Sequence, residues 1–242
     1  MKIIYCALFC FISYKSIAQQ TLDVADPSGI KGNYGSVNYL DASSIGQKKV
    51  SNVSYQDVRG SAFWDEKWNA AIFILSNNKA AKVRKARLNL YTDEIQFIAS
   101  DGTELAFDNT EVLKIIFFNG SDTTKILSIF ESLPDSLSPT KFSYYQVLNN
   151  GTFKLLQLKK ILVKENEYNP STGTNDYSFY SKTTYAIAEN NKVSQVKFGQ
   201  SWILPIIHPS DNAYTWLAQN KNKLKSVSEI ISFLDYYNGI NK

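Results

Sequence analysis

Sulfur and imidazole are nearly missing from this chain, whose 242 residues hold two cysteines, one methionine and one histidine. Cys6, Cys10 and Met1 all fall within the first ten positions. Everything after them is closed to thiol nucleophiles, disulfides and cysteine- or histidine-built metal centres. Glycine (11) and proline (6) are also few, which excludes a collagen-like or low-complexity chain. Neither sign of charge dominates: 26 basic against 22 acidic side chains give a formal charge of +4. That balance carries no footprint for nucleic acid or an anionic membrane. No apolar run beyond the first eighteen residues is long enough to make a transmembrane helix. What is abundant is apolar and aromatic: 44% hydrophobic and 14% Phe, Trp and Tyr, enough to bury a sizeable core.

The first eighteen residues stand apart. Lys2 opens them, 3–12 is almost unbroken apolar sequence, and Ser16-Ile17-Ala18 sets small residues at the −3 and −1 positions before Gln19. That three-part layout predicts a secretory signal peptide cut between Ala18 and Gln19. Tyr5 and Phe9 precede the cysteines, where a lipid-anchoring site requires a small residue. Cleavage leaves a mature chain with no sulfur, exported to the periplasm or beyond, whose stability rests on packing and pairing alone.

Residues 19–60 are polar, rich in Gly, Ser and Asn, and read as an extended segment joining the core. From 61 to 242 a single β-rich domain is expected. Strand candidates at 70–75, 86–91, 95–99, 103–107, 112–118, 142–148, 152–163, 177–188 and 192–198 are punctuated by turn signals. Asp101-Gly102 and Asn149-Asn150-Gly151 are hairpin chemistry, as is the Asn190-Asn191 pair. No amphipathic helix separates the strands, so an antiparallel meander or sandwich-like sheet is predicted. The last forty residues change period. Asp211 reads as the N-cap of a helix over 213–219, and Ser226 with Glu229 as the capping box of a second, with Gly239 at its exit. The fold class is therefore α+β, mainly β, with two C-terminal helices packed on the sheet.

Chemistry is harder to find. His208 has Ser210 and Asp211 beside it, but no Gly-x-Ser-x-Gly elbow presents a nucleophile. Asp65, Glu66, Asp93, Glu94, Glu104 and Asp108 supply carboxylates for a paired-acid hydrolase, although turns use acids for local hydrogen bonds as well. The polar stretch 164–176 offers oxygen ligands for calcium but matches no EF-hand spacing, so an exposed hairpin loop is the simpler reading. Lys79, Lys82, Arg84, Lys85 and Arg87 form a basic cluster that suits a charged edge strand or a contact for an acidic partner. Trp64 and Trp68, at i and i+4, would share one face of a strand and could line a carbohydrate or lipophilic pocket. Tyr144, Tyr145, Tyr168, Tyr177, Tyr180 and Tyr185 populate the second half, where aromatics equally fill a β core. Asp135-Ser136-Leu137 and Asp122-Thr123-Thr124 have the form of short O-glycan acceptors. No catalytic, metal or cofactor residue is assigned.

Gly60-Ser61-Ala62-Phe63-Trp64 ahead of Trp68, the Arg87-Leu88-Asn89-Leu90-Tyr91 meander strand and the terminal Asp235-Tyr236-Tyr237-Asn238 together resemble a group of small exported β-rich proteins of Bacteroidota with no assigned activity. The resemblance implies an exported location and a similar architecture over nearly all of the mature chain. It carries no functional residues across. Members of that group have a lysine-rich helical segment where this chain has 199–208, so the likeness departs there. The expected function is an exported, non-enzymatic envelope protein acting by binding or assembly, its partner an envelope protein or a small ligand. A periplasmic carrier of a lipophilic molecule and a carbohydrate-active hydrolase are the alternatives.

Overall fold

A computed structural model describes residues 39–40, 48–49, 58–77, 79–107, 111–119, 122–135, 138–171, 174–190 and 192–240. The expected signal peptide with Ala18 and Gln19, most of the 19–60 segment, Asp108, Ser136, Leu137 and Asn191 lie outside them. The strands in chain order are β1 (Tyr39–Leu40), β2 (Lys48–Lys49), β3 (Val58–Arg59), β4 (Asn69–Leu75), β5 (Ala80–Asn89), β6 (Glu94–Ile98), β7 (Glu104–Phe107), β8 (Val112–Asn119), β9 (Asp122–Asp135), β10 (Ser138–Val147), β11 (Phe153–Asn169), β12 (Thr174–Glu189) and β13 (Lys192–Val196). Three helices follow: α1 (Gln200–Ile207), α2 (Asp211–Gln219) and α3 (Val227–Ile240).

The protein is mainly β. Among the described residues one sheet has eleven strands along its path, in the order β13-β12-β11-β10-β9-β8-β4-β5-β6-β7-β2. Its path is antiparallel throughout, and short parallel pairings of β1 with β5 and β3 with β12 make the sheet mixed. The hairpins foreseen at Asp101-Gly102 and Asn149-Asn150-Gly151 join β6 to β7 and β10 to β11. Asn190 turns β12 into β13 at φ 46°.

Central strands are apolar on both faces. Phe73 and Phe117 project into the main core with Phe97, Phe107 and Tyr144, while Ile72, Ile116 and Phe118 fill a second cluster on the opposite face. This double burial explains why β9 escapes a search for alternation: Ile129, Phe130 and Leu133 are buried beside buried Ser128, Glu131 and Ser132. In β5 the partner register slips between Asn69↔Ala86 and Ala71↔Val83. This bulge puts Ala81 and Val83 into the same core as Ala86, Leu88 and Leu90.

Four expectations are corrected. The strand that carries Lys82, Arg84, Lys85 and Arg87 is not an edge strand: β5 pairs with β4 on one side and, at its two ends, with β1 and β6 on the other. Nor is 164–176 a loop; Glu165 pairs with Tyr177 and Asn169 with Thr174, so it is the far end of the long β11–β12 hairpin. Alternating polar residues on a solvent-flanked ribbon look like a loop in sequence. Finally the described residues hold three helices, not two. Pro205 lies inside α1, and a proline within eight residues conceals a helix from pattern reading. Ser210, not Asp211, is the N-cap of α2.

The helices cover one end of the sheet. Phe153 and Leu155 of β11, Ile187 of β12 and Val196 of β13 pack with Ile203, Leu217, Phe233 and Leu234. Further along the same face of β11, Ile161 belongs to the main core, so this strand links the two cores. Among the described residues, no helix is long and apolar enough to cross a membrane.

Candidate functional site

The 60–68 stretch is irregular rather than a strand. Asp65 Oδ1 accepts the Lys67 amide (3.0 Å) and Oδ2 accepts Asn69 Nδ2 (3.0 Å), turning the chain between the two tryptophans. They consequently enter different surroundings. Trp64 stacks on Phe117 at 5.4 Å and meets the Phe130 edge at 5.2 Å. Trp68 lies over the Arg87 guanidinium at 4.2 Å, with Phe63 over the same group at 4.0 Å. Arg87 donates from Nε to Gln96 Oε1 (2.8 Å) and from Nη2 to Glu104 Oε1 (3.0 Å). Two rings and two hydrogen bonds clamp the cation, which ties β5, β6 and β7 to the 60–68 stretch.

The carboxylates are dispersed. Glu66 is exposed, Glu104 holds Arg87, and Glu94 accepts the Thr92 hydroxyl at 3.0 Å. Asp93 differs. Among the described residues, the register of β10 with β11 is short, Gln146↔Gln157 and Val147↔Leu156, and further along β11 the β5–β6 turn comes against it. The Ile161 amide donates to the Leu90 carbonyl (3.3 Å), and the Tyr91 ring sits edge-on to Phe179 at 5.5 Å. Asp93, at φ 55°, comes near Lys160 and Asp135, which are themselves paired at 2.7 Å. Burial pushes its carboxyl up to about 6; Lys160 opposes the shift and Asp135 adds to it. Glu131, flanked by Lys114 (3.0 Å) and Lys154 (2.8 Å), is the contrasting case: burial raises its pKa, but the two ammonium groups prevail and hold it below the usual range. Raised and lowered carboxylates are the raw material of acid–base catalysis. Neither carboxylate lines the hollows at the helical end or the one beside Lys82 and Ile98.

The remaining aromatics divide similarly. Tyr144 and Tyr145 are buried, Tyr185 packs on Phe198 at 4.8 Å, and Tyr168, Tyr177 and Tyr180 are exposed on the β11–β12 ribbon. His208 is exposed and caps α1 in the left-handed conformation, its amide donating to the Leu204 carbonyl at 2.9 Å. Among the described residues, no group of three metal-ligating side chains occurs.

An open concavity lies at the helical end. A groove of about 820 Å³ runs between α1 and the α2–α3 connection, lined in part by Phe198, Trp202, Tyr214, Lys221, Lys223 and Lys225. A second hollow of about 480 Å³ adjoins it, sharing Gln200, Ser201 and Tyr214 and adding Leu204, Pro205 and Pro209. Trp202 and Tyr214 remain 52% and 50% exposed, and Lys197 Nζ sits 5.1 Å from the Trp202 ring centre. No Asp or Glu lines either hollow.

No family model, curated protein or solved structure matches this chain.

The groove is held in shape by one amide. The backbone carbonyl of buried Asn222 accepts from Gln200 Nε2 (2.7 Å), while its side chain donates from Nδ2 to the Glu229 carbonyl (2.8 Å) and accepts the Leu224 amide at Oδ1 (2.8 Å). That fixes Lys221 and Leu224 at positive φ, 51° and 55°, conformations uncommon for such side chains. Glu229 also accepts the Lys223 and Lys225 amides, while Ser226 Oγ accepts the Glu229 amide at 3.2 Å. Half of the expected capping box forms, and the glutamate is diverted to order the lysine-bearing loop. Trp202 escapes sequence reasoning because α1 does, and Tyr214, on the foreseen α2, has no visible partner without it.

Proposed function

We propose that the protein is an exported, non-enzymatic envelope protein that acts by binding through the helical end of its sheet. The observation that carries this reading is the groove itself: two half-exposed aromatic rings and a lysine rim on a hydrogen-bonded frame. Partner surfaces commonly combine aromatic anchors with a polar rim. The interior of the sheet supports this choice over a carrier whose sheet cups a lipophilic ligand, since Phe73, Phe97, Phe107 and Phe117 fill the main core and are fully buried. A paired-carboxylate hydrolase finds less support, since Asp93 and Asp135 meet at a strand junction rather than across a hollow. The resemblance to exported Bacteroidota proteins accords with an envelope setting.

Hydrogen exchange of residues 19–242, alone and with envelope fractions, tests the proposal. Protection is expected at α1, α2 and 220–226. Protection confined to the β11–β12 ribbon, or none anywhere, would refute it.

A further inference from the structure

Helix α1 is more apolar than the face it buries. Of Gln-Ser-Trp-Ile-Leu-Pro-Ile-Ile, only Ile203 and Ile207 are buried. Trp202 and Pro205 are exposed, and Leu204 and Ile206 are partly so. A helix this apolar is ordinarily covered. Beside it, Tyr214 of α2 adds a second ring that is apolar along its body and polar at its tip, the type of side chain that settles at a boundary between water and hydrocarbon. Around this surface stand Lys197, Lys221, Lys223 and Lys225, with no carboxylate lining the adjoining hollows. The near-neutral balance of the whole chain hides this concentration of positive charge. Asp211 at the start of α2 and Glu229 in the first turn of α3 are the neighbouring acids, and the second is engaged with the Lys223 and Lys225 amides.

Resting on the binding role assigned to this groove, we propose that its occupant is the surface of an anionic lipid bilayer. Trp202, Pro205 and Tyr214 enter the headgroup boundary, and the four lysines meet lipid phosphates. Contact is peripheral, combining shallow apolar insertion with attraction to anionic headgroups. A wholly polar acidic ligand would satisfy the lysines but leave Trp202, Leu204 and Pro205 wet. A bilayer satisfies both at once.

Sedimentation of purified 19–242 with vesicles tests this, comparing equimolar phosphatidylglycerol and phosphatidylcholine with phosphatidylcholine alone. Binding to the mixed vesicles, weakened by salt, is expected. Replacing Trp202 and Tyr214 together by serine should lower partitioning about tenfold or more through lost apolar insertion. Each of Lys221→Ala and Lys223→Ala should lower it about fivefold. Lys182→Ala, on the exposed β12 ribbon, should leave it unchanged, and unaltered urea midpoints show that the variants fold. Equal binding to both vesicles, no binding to either, or full binding by the double serine variant overturns the lipid assignment. So does retention of a soluble acidic oligosaccharide or polyglutamate by the same residues with no vesicle binding. In each case groove protection by envelope fractions, if still seen, leaves the broader binding role standing; loss of both removes it.

Discussion

Gly151 offers the sharpest test of how the helices are held to the sheet. It sits in the β10–β11 turn at φ +125°. A Cβ there would lie 2.4 Å from Cγ and Nδ2 of Asn238 and 2.8 Å from its Cβ. Asn238 cannot simply move. Its Oδ1 accepts the Phe153 amide (3.0 Å), and its Nδ2 donates to the carbonyls of Asn150 and Phe153 (2.9 Å each). Gly151→Ala therefore forces the turn out of a region that alanine avoids, at about 1–3 kcal/mol. It also displaces an amide whose buried partners each cost about 1–3 kcal/mol when left unpaired. The expected loss is roughly 3–5 kcal/mol for the single variant, read as a lower urea midpoint at unchanged slope. Asn238→Ala alone should cost about 2–3 kcal/mol. Because it removes the two nearest clashing atoms, Cγ and Nδ2, and leaves only Cβ to shift, the double variant should be more stable than the two losses added together predict, by about 1–2 kcal/mol. Simple additivity, or a Gly151→Ala loss below about 1 kcal/mol, would refute the clash argument.

Three further outcomes follow from the same geometry. Asp93 has a folded pKa raised from 3.8 to about 6, so its contribution to stability is fully present below about pH 4 and lost as pH rises through 6. Asp93→Asn, which keeps a side chain tolerant of positive φ, should stabilise the protein at pH 7 by about 1–2 kcal/mol and flatten the urea midpoint between pH 4 and 6; an unchanged profile would show that the turn is solvated. Arg87→Lys keeps the charge but loses the planar fork between Phe63 and Trp68, and should cost about 1–2 kcal/mol, with a shift in tryptophan emission; wild-type stability in this variant would mean that the clamp is idle. Asn222→Ala should release the positive-φ loop, costing about 1–3 kcal/mol and raising amide exchange at 221–225, whereas unaltered exchange there would contradict its framing role.

The strand-and-turn skeleton was legible because its signals are local. Asp101-Gly102, Asn149-Asn150-Gly151 and the phase of Leu88 and Leu90 announce themselves within a few residues. The terminal Asp235-Tyr236-Tyr237-Asn238 was also visible as a pattern, but its meaning was not. Asn149 Nδ2 donates to Asp235 Oδ1 (3.3 Å), and Asn238 grips Asn150 and Phe153, so the motif stitches α3 to a hairpin more than eighty residues earlier. Nothing in spacing reveals that distant pairing. Polar residues misled in two opposite ways. In β9 buried Ser128, Glu131 and Ser132 masked a strand, and in β11 and β12 exposed polar residues mimicked a loop. The candidate site was least legible of all. Pro205 hides α1, and the groove depends on Asn222 bonding to α1, the 220–226 loop and α3, partners that spacing does not reveal.

The most direct test of the binding account is a photo-crosslinking residue in place of Trp202, exported in a cell, with a second variant carrying it in place of Lys182. The account predicts strong adducts with envelope components at position 202 and few at 182. Equal labelling at both positions, or none at 202, would contradict it.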